Sequence, residues 1–320
     1  MSGEHPSVKE LIRSRLQGHT DDYQLAVSVE GGGMRGVVSG AMLIALQELG
    51  IDKVVDQFYG TSSGGINLAY YASGASWDGL AIYADHLTTH FVRPLHMRFN
   101  KPMLDMNYVF QEVLVDRVPL STTNVRDSVL DVRIVLANVD SGRPEIIRLR
   151  EHADRLHDYL CAGSWLPVLA GAPYVIDGTR YLDGGILYPD PSYAARSEGA
   201  THILALNTRP FGPKKRAGST RQVLRLLLNR WQPGVGDTYV AARREWDDIR
   251  ASLPPEVEGL YDSCRMVRLQ PLADSHKVQR LTMDRYELLV GARAGYESTM
   301  RYLGKTSSRS FFSVTTLNKD

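Results

Sequence analysis

The stretch Leu25-Ala26-Val27-Ser28-Val29-Glu30-Gly31-Gly32-Gly33-Met34-Arg35-Gly36, followed by Tyr59-Gly60-Thr61-Ser62-Ser63-Gly64-Gly65, decides the reading of this chain. The first apolar run ends in a glycine loop whose backbone N–H groups can turn toward an anion. The second ends in a G-x-S-x-G turn, where glycines permit a strained backbone and close approach of a substrate. A hydroxyl lifted clear on a strand-to-helix turn is a candidate nucleophile, and this singles out Ser62, framed by Gly60 and Gly64. The helix that follows adds unpaired N–H groups and a partial positive charge, both favourable to the oxygen anion formed in acyl transfer. A G-x-S-x-G match alone is weak, because Gly and Ser are common turn residues. The strand before it and the helix after it supply the weight.

Working outward, residues 37–49 read as a helix that Gly50 ends, and residues 54–59 and 66–72 repeat the strand-turn-helix rhythm. Branched residues at 132–139 and 146–149 predict two strands joined by a hairpin at Asp140-Ser141-Gly142. A helix at about 155–161, a strand at 180–182 leading to Asp183-Gly184-Gly185, a helix near 193–197 and a buried strand at 203–206 follow. This alternation predicts an α/β fold with a mainly parallel sheet covered on both faces. Residues 210–262 break the rhythm with Lys214-Lys215-Arg216 and an apolar and basic helix at 221–231, and are expected to form a helical insertion or lid. A late strand at 267–269, a long helix at 284–303 and a polar tail at 305–320 complete a single domain whose core is 24–210.

The 37 basic residues against 36 acidic ones leave no basic excess for a nucleic-acid partner. Residues 1–24 lack the apolar core of a secretory signal, and no uncharged apolar stretch is long enough to span a bilayer. Cys161 and Cys264 are too few for a disulfide framework or a cysteine zinc site, so buried thiols in a cytoplasmic protein are expected.

Serine needs a base. Asp183 stands at a strand end with two glycines leaving room around it, although a plain Asp-Gly turn is common. His202 and His276 come in the right chain order for a triad, but His202 opens a strand, away from the carboxyl ends where ligands gather, and His276 lies in a polar loop. His86 and His90 lack the Glu of a metalloprotease pattern. The loop 31–36 has neither dinucleotide nor P-loop spacing, so neither metal nor cofactor is expected. Arg35 is expected to anchor the loop by hydrogen bonds rather than contact a head group.

Together, the loop 31–36, the turn 60–64 and Asp183-Gly184-Gly185 resemble the patatin-like phospholipase family over residues 24–210. The resemblance implies a three-layer α/β/α sandwich, a Ser-Asp dyad without histidine and metal-independent acyl-ester hydrolysis. Carried over position by position, it makes Ser62 the nucleophile and Asp183 the base. The oxyanion hole falls on the loop Gly31, Gly32, Gly33, Met34, Arg35 and Gly36, with the N–H groups of Gly32 and Gly33 as donors. Three positions depart from the family's pattern: Glu30 replaces an Asp, Trp165 replaces a small residue and bears on pocket width, and 188–191 lacks the Asn often found there.

The expected function is hydrolysis of fatty-acyl esters of phospholipids or lysophospholipids. An acyltransferase using the same acyl-enzyme and a noncatalytic lipid- or phosphate-binding scaffold are the alternatives. Arg221, Arg225 and Arg230 among Val223, Leu224, Leu227, Leu228 and Trp231 fit peripheral membrane contact or cover for an acyl pocket, against an ordinary amphipathic helix as the preferred account.

Overall fold

The computed structural model describes residues 5–99, 101–211 and 218–305. The expected basic stretch Lys214–Arg216 and nearly all of the polar tail lie outside them. Among the described residues, one sheet holds nine strands: β1 (Leu25–Val29), β2 (Gln57–Gly60), β3 (Val132–Asn138), β4 (Arg143–Arg148), β5 (Tyr174–Ile176), β6 (Thr179–Asp183), β7 (His202–Leu206), β8 (Gly259–Tyr261) and β9 (Cys264–Leu269). Their order is β5-β6-β3-β2-β1-β7-β9-β8, with β4 also paired to β3. The middle five, β3-β2-β1-β7-β9, are parallel, and antiparallel strands extend both edges. The hairpin expected at 140–142 joins β3 to β4.

Strand β1 is central and wholly buried, as a strand covered on both faces must be. Its alternate residues sort the layers. Leu25, Val27 and Val29 face a core shared with α1 (Val8–Leu16), α2 (Gly36–Glu48), α3 (Ser63–Ala72) and the terminal helix Arg285–Tyr302. Ala26 faces the opposite core, made with Tyr193 and Ala194 of the helix Ser192–Ser197 and with Trp246. Helix α2 is buried almost all round because the terminal helix lies over it. A Cβ at Gly295 of that helix would stand 2.3 Å from the Val38 carbonyl oxygen, so glycine is what lets the two backbones approach. Gly50, at φ +67°, ends α2 as expected. Both cysteines are buried and unpaired, and burial pushes the Cys161 thiol up to about 12.

The register around β3 places the site. Strand β4 occupies one edge of β3 along residues 133–138, so β2, paired at 132–134, and β6, paired at 136–138, share the other edge. They meet head-on: β2 runs up to Gly60, opposite Ile134, while β6 runs down to Asp183, opposite Leu136. The chain after Gly60 turns away at Thr61-Ser62, at the level where β6 ends. The mainly parallel reading did not foresee that Asp183 arrives on a strand running against β2.

Of the region 210–262, the helix expected at 221–231 spans Gly218–Trp231, and a second, Val235–Ser252, packs against it. The second helix was not anticipated, because its polar surface obscures the few apolar residues, Tyr239, Val240 and Trp246, that it buries. Among the described residues, no helix is long and apolar enough to cross a membrane.

Candidate active site

Ser62 sits between β2 and α3 with φ 54° and ψ −136°, a conformation sparsely populated by residues with a side chain. Such strain persists only where surroundings over-determine it. Here the N–H groups of Gly64 and Gly65 donate to the carbonyls of Thr61 and Ser62 at 2.9 Å each and start the helix around the serine. A Cβ at Gly64 would fall 2.2 Å from the Val29 carbonyl oxygen, and one at Gly31 would fall 2.4 Å from that of Thr61. The glycines therefore let the end of β1 and the serine turn press together.

The glycine loop enters α2 through a tight turn at Gly33–Arg35. Gly33 has φ +60°, and its amide donates no hydrogen bond among the described residues. Gly32 N–H is engaged: it donates to Ser63 Oγ at 3.0 Å. Met34 N–H donates to the Arg280 carbonyl, also at 3.0 Å. Of the two donors implied by the resemblance, one is free and the other is held by the residue next to Ser62. Tyr83 and Asn67 extend this lock, with the tyrosine hydroxyl donating to Asn67 Oδ1 at 2.9 Å and Asn67 Nδ2 donating to the Gly36 carbonyl at 2.8 Å.

Asp183 is buried at the end of β6, 4% exposed. Its Oδ1 accepts from Gly185 N–H at 2.8 Å, and its own N–H donates to the Trp165 carbonyl at 3.0 Å. Burial raises its carboxyl above the ordinary aspartate value, opposed by the nearby Ser62 hydroxyl, by Gly185 N–H and by Arg280 and Arg243. The structure thus brings Ser62 and Asp183 together. No histidine lines the cavity beside them. His202 lies at the other end of the sheet, bonded to the Pro6 carbonyl at 2.8 Å, and His276 is more than half exposed.

The cavity has a volume of about 440 Å³. Its floor holds Gly31–Gly33, Ser62 and Asp183, and its walls are largely apolar, including Ile66, Leu87, Phe110, Leu114 and Leu281. Val109, Phe110 and Leu114 come from a π-helical segment, Tyr108–Arg117, a wider winding that is rare outside functional sites. Thr220, Val223 and Leu224 of the helix Gly218–Trp231 line it as well.

The family model described as patatin-like phospholipase matches residues 27–196, more than half of the chain. The chain belongs to that family. No curated protein matches it. Among solved structures, VipD from Legionella pneumophila is 14% identical with a TM-score of 0.46, covering 89% of this chain and 67% of its own. Human GIVD cytosolic phospholipase A2, in complex with methyl gamma-linolenyl fluorophosphonate and terbium chloride, is 12% identical with a TM-score of 0.45, covering 93% and 62%. ExoU from Pseudomonas aeruginosa, in complex with SpcU, is 14% identical with a TM-score of 0.26, covering 70% and 52%. The chain spans about two thirds or less of the lengths of these proteins.

The departures from the patatin-like pattern resolve locally. The Glu30 carboxylate accepts from Thr208 N–H at 2.7 Å and from its hydroxyl at 3.0 Å, and that hydroxyl accepts in turn from Arg35 Nε at 2.9 Å. Arg35 is therefore a loop anchor, as expected. Burial acts against the Glu30 charge, but Arg35, Arg209, Arg250 and the Thr208 amide outweigh it and hold the carboxyl at about 2. Trp165, whose bulk bears on pocket width, is not among the residues that line the cavity. Its indole N–H donates to the Ala172 carbonyl at 2.6 Å and its ring packs against Tyr174, leaving Ser164 and Leu166 to form the wall. In place of the missing Asn, Asp190 turns inward and accepts from Ser192 N–H at 2.9 Å and Asn207 Nδ2 at 2.7 Å. Four site residues went unnoticed in the sequence: Ser63, Tyr83, Arg243 and Arg280. Only Ser63 carried a signal, its place beside the nucleophile turn.

Proposed function

We propose that the protein hydrolyses fatty-acyl esters of phospholipids or lysophospholipids, with Ser62 as nucleophile and Asp183 as base. The observation that carries this reading is a serine on a strained turn and a buried aspartate that line the floor of one apolar cavity. Asp183 takes the hydroxyl proton as Ser62 Oγ bonds to the ester carbonyl carbon. Burial suits it to this task, since desolvation makes a carboxylate a stronger base. The oxygen anion forms against Gly33 N–H, and Gly32 N–H joins once it leaves Ser63 Oγ. Each such donor contributes about 3 kcal/mol to the transition state. The alcohol departs with the proton from Asp183; water then attacks the acyl-enzyme with Asp183 again as base, and as the bond to Ser62 Oγ breaks that proton passes to Oγ and the fatty acid leaves. The apolar walls hold the acyl chain and the helix Gly218–Trp231 covers the mouth.

A fluorophosphonate probe is expected to label Ser62 in the wild type and not in Ser62→Ala, with ester turnover lost in the variant. An unlabelled Ser62 together with undiminished turnover in Ser62→Ala would remove the reading.

A further inference from the structure

The apolar cavity carries two guanidinium groups that the proposed acyl-transfer chemistry does not use. Arg243, from the helix Val235–Ser252, and Arg280, from the segment before the terminal helix, both line it. Neither forms an ion pair with a carboxylate among the described residues, although many other arginines there do. Arg243 donates to the Gly185 carbonyl at 2.5 Å, and its Nε is buried without a partner. Arg280 is exposed and lines the cavity, which puts it at the mouth.

The two residues bracket the floor, Arg243 by its guanidinium and Arg280 by its backbone. A Cβ built on Gly185 would lie 3.0 Å from Asp183 Oδ1 and 3.7 Å from an Arg243 terminal nitrogen, so Arg243 and the carboxylate flank one glycine. On the other side, the Arg280 carbonyl accepts from Met34 N–H and would stand 2.6 Å from a Cβ on Gly33. Glu30 and Asp183 attract both arginines from a distance but form no ion pair with either: Glu30 accepts from Thr208 and Asp183 from Gly185 N–H. Two like charges lining one apolar cavity repel each other, a cost that a bound anion relieves. Guanidinium forks fit phosphate oxygens bidentately, and two of them suit a group carrying up to two charges.

From this arrangement we infer that Arg243 and Arg280 form a recognition site for the phosphate group of the lipid substrate, making the protein selective for acyl esters that carry a phosphate near the scissile carbonyl. The inference rests on the acyl-hydrolase reading and names its substrate class. Both arginines lie outside the matched residues 27–196, so this selectivity belongs to the chain's own later segments.

The test compares dihexanoyl phosphatidic acid with dihexanoylglycerol, both as monomers, on the full chain. In Arg280→Gln and Arg243→Gln, the ratio of kcat/KM for the phosphate ester to that for the neutral ester is expected to fall about 10- to 100-fold, chiefly through KM. Arg280→Lys should recover part of it. A ratio unchanged in both Gln variants overturns the inference, because a merely structural role lowers both substrates alike. A binding arm separates this from the chemistry. Calorimetry on Ser62→Ala should show phosphatidic acid binding more tightly than dihexanoylglycerol, with the difference lost when Arg280→Gln is added, whether or not the wild type turns over either ester. Equal binding of the two lipids, or binding of inorganic phosphate as tight as that of phosphatidic acid, overturns the lipid assignment. Absence of wild-type turnover with the binding difference intact would count against the hydrolase reading alone.

Discussion

Asp183 carries two opposing demands in one side chain. A carboxylate kept from water is a better base and a worse structural element, since its folded-state value lies above that of the unfolded chain. The folded state therefore holds the proton more tightly, and stability is lost as pH rises through the raised value. Asp183→Asn is expected to abolish ester turnover and to raise Tm at pH 7 by about 2 °C or more, with the gain shrinking on acidification. Calorimetry across pH 4 to 8 checks the direction, and the acid limb of wild-type kcat/KM should sit above the ordinary aspartate range. Glu30 has the opposite sign. Its value, held at about 2, lies below the unfolded one, so its contribution is present above the unfolded value and lost as pH falls toward 2. Glu30→Ala leaves Arg35 without its carboxylate and should cost about 3 kcal/mol in denaturant unfolding. The two residues were not equally legible. The glycines after Asp183 mark a crowded strand end, whereas nothing local to Glu30 announces Thr208, which lies 178 positions away.

At the scale of elements, the glycine loop, the serine turn and the aspartate strand were readable because each is a short motif whose residue types are demanded by backbone geometry. The π-helical wall was not. Its sequence, Tyr108–Arg117, carries the same apolar spacing that an ordinary helix would, and the extra residue per turn is set by packing around the cavity rather than by any residue in it. Phe110 is buried there and faces the cavity. Phe110→Ala should lower stability by about 3 kcal/mol and shift the preferred p-nitrophenyl ester toward longer acyl chains. An unmoved chain-length profile would mean that the acyl group lies elsewhere.

For the whole molecule, the layered architecture followed from the alternation of strands and helices, while the edges of the sheet did not. Short strands such as β5 and β8 have too few residues to show a period, and their antiparallel pairing is decided by neighbours distant in sequence. The helical region after β7 shows a similar limit. Trp246 is 3% exposed and packs on Tyr193 and under the Arg268 guanidinium, so the helix Val235–Ser252 is part of the covering layer. Trp246→Ala is expected to cost about 3–5 kcal/mol, read as a lowered midpoint in urea, rather than to open the cavity. The end-to-end meeting of β2 and β6 along β3 has one more consequence. Because Ile134 fixes the level of one strand and Leu136 that of the other, the separation of Ser62 and Asp183 is set by the one residue, Val135, that lies between them on β3. The span between the serine turn and the aspartate is thus gauged by the pitch of a neighbouring strand that contributes neither residue.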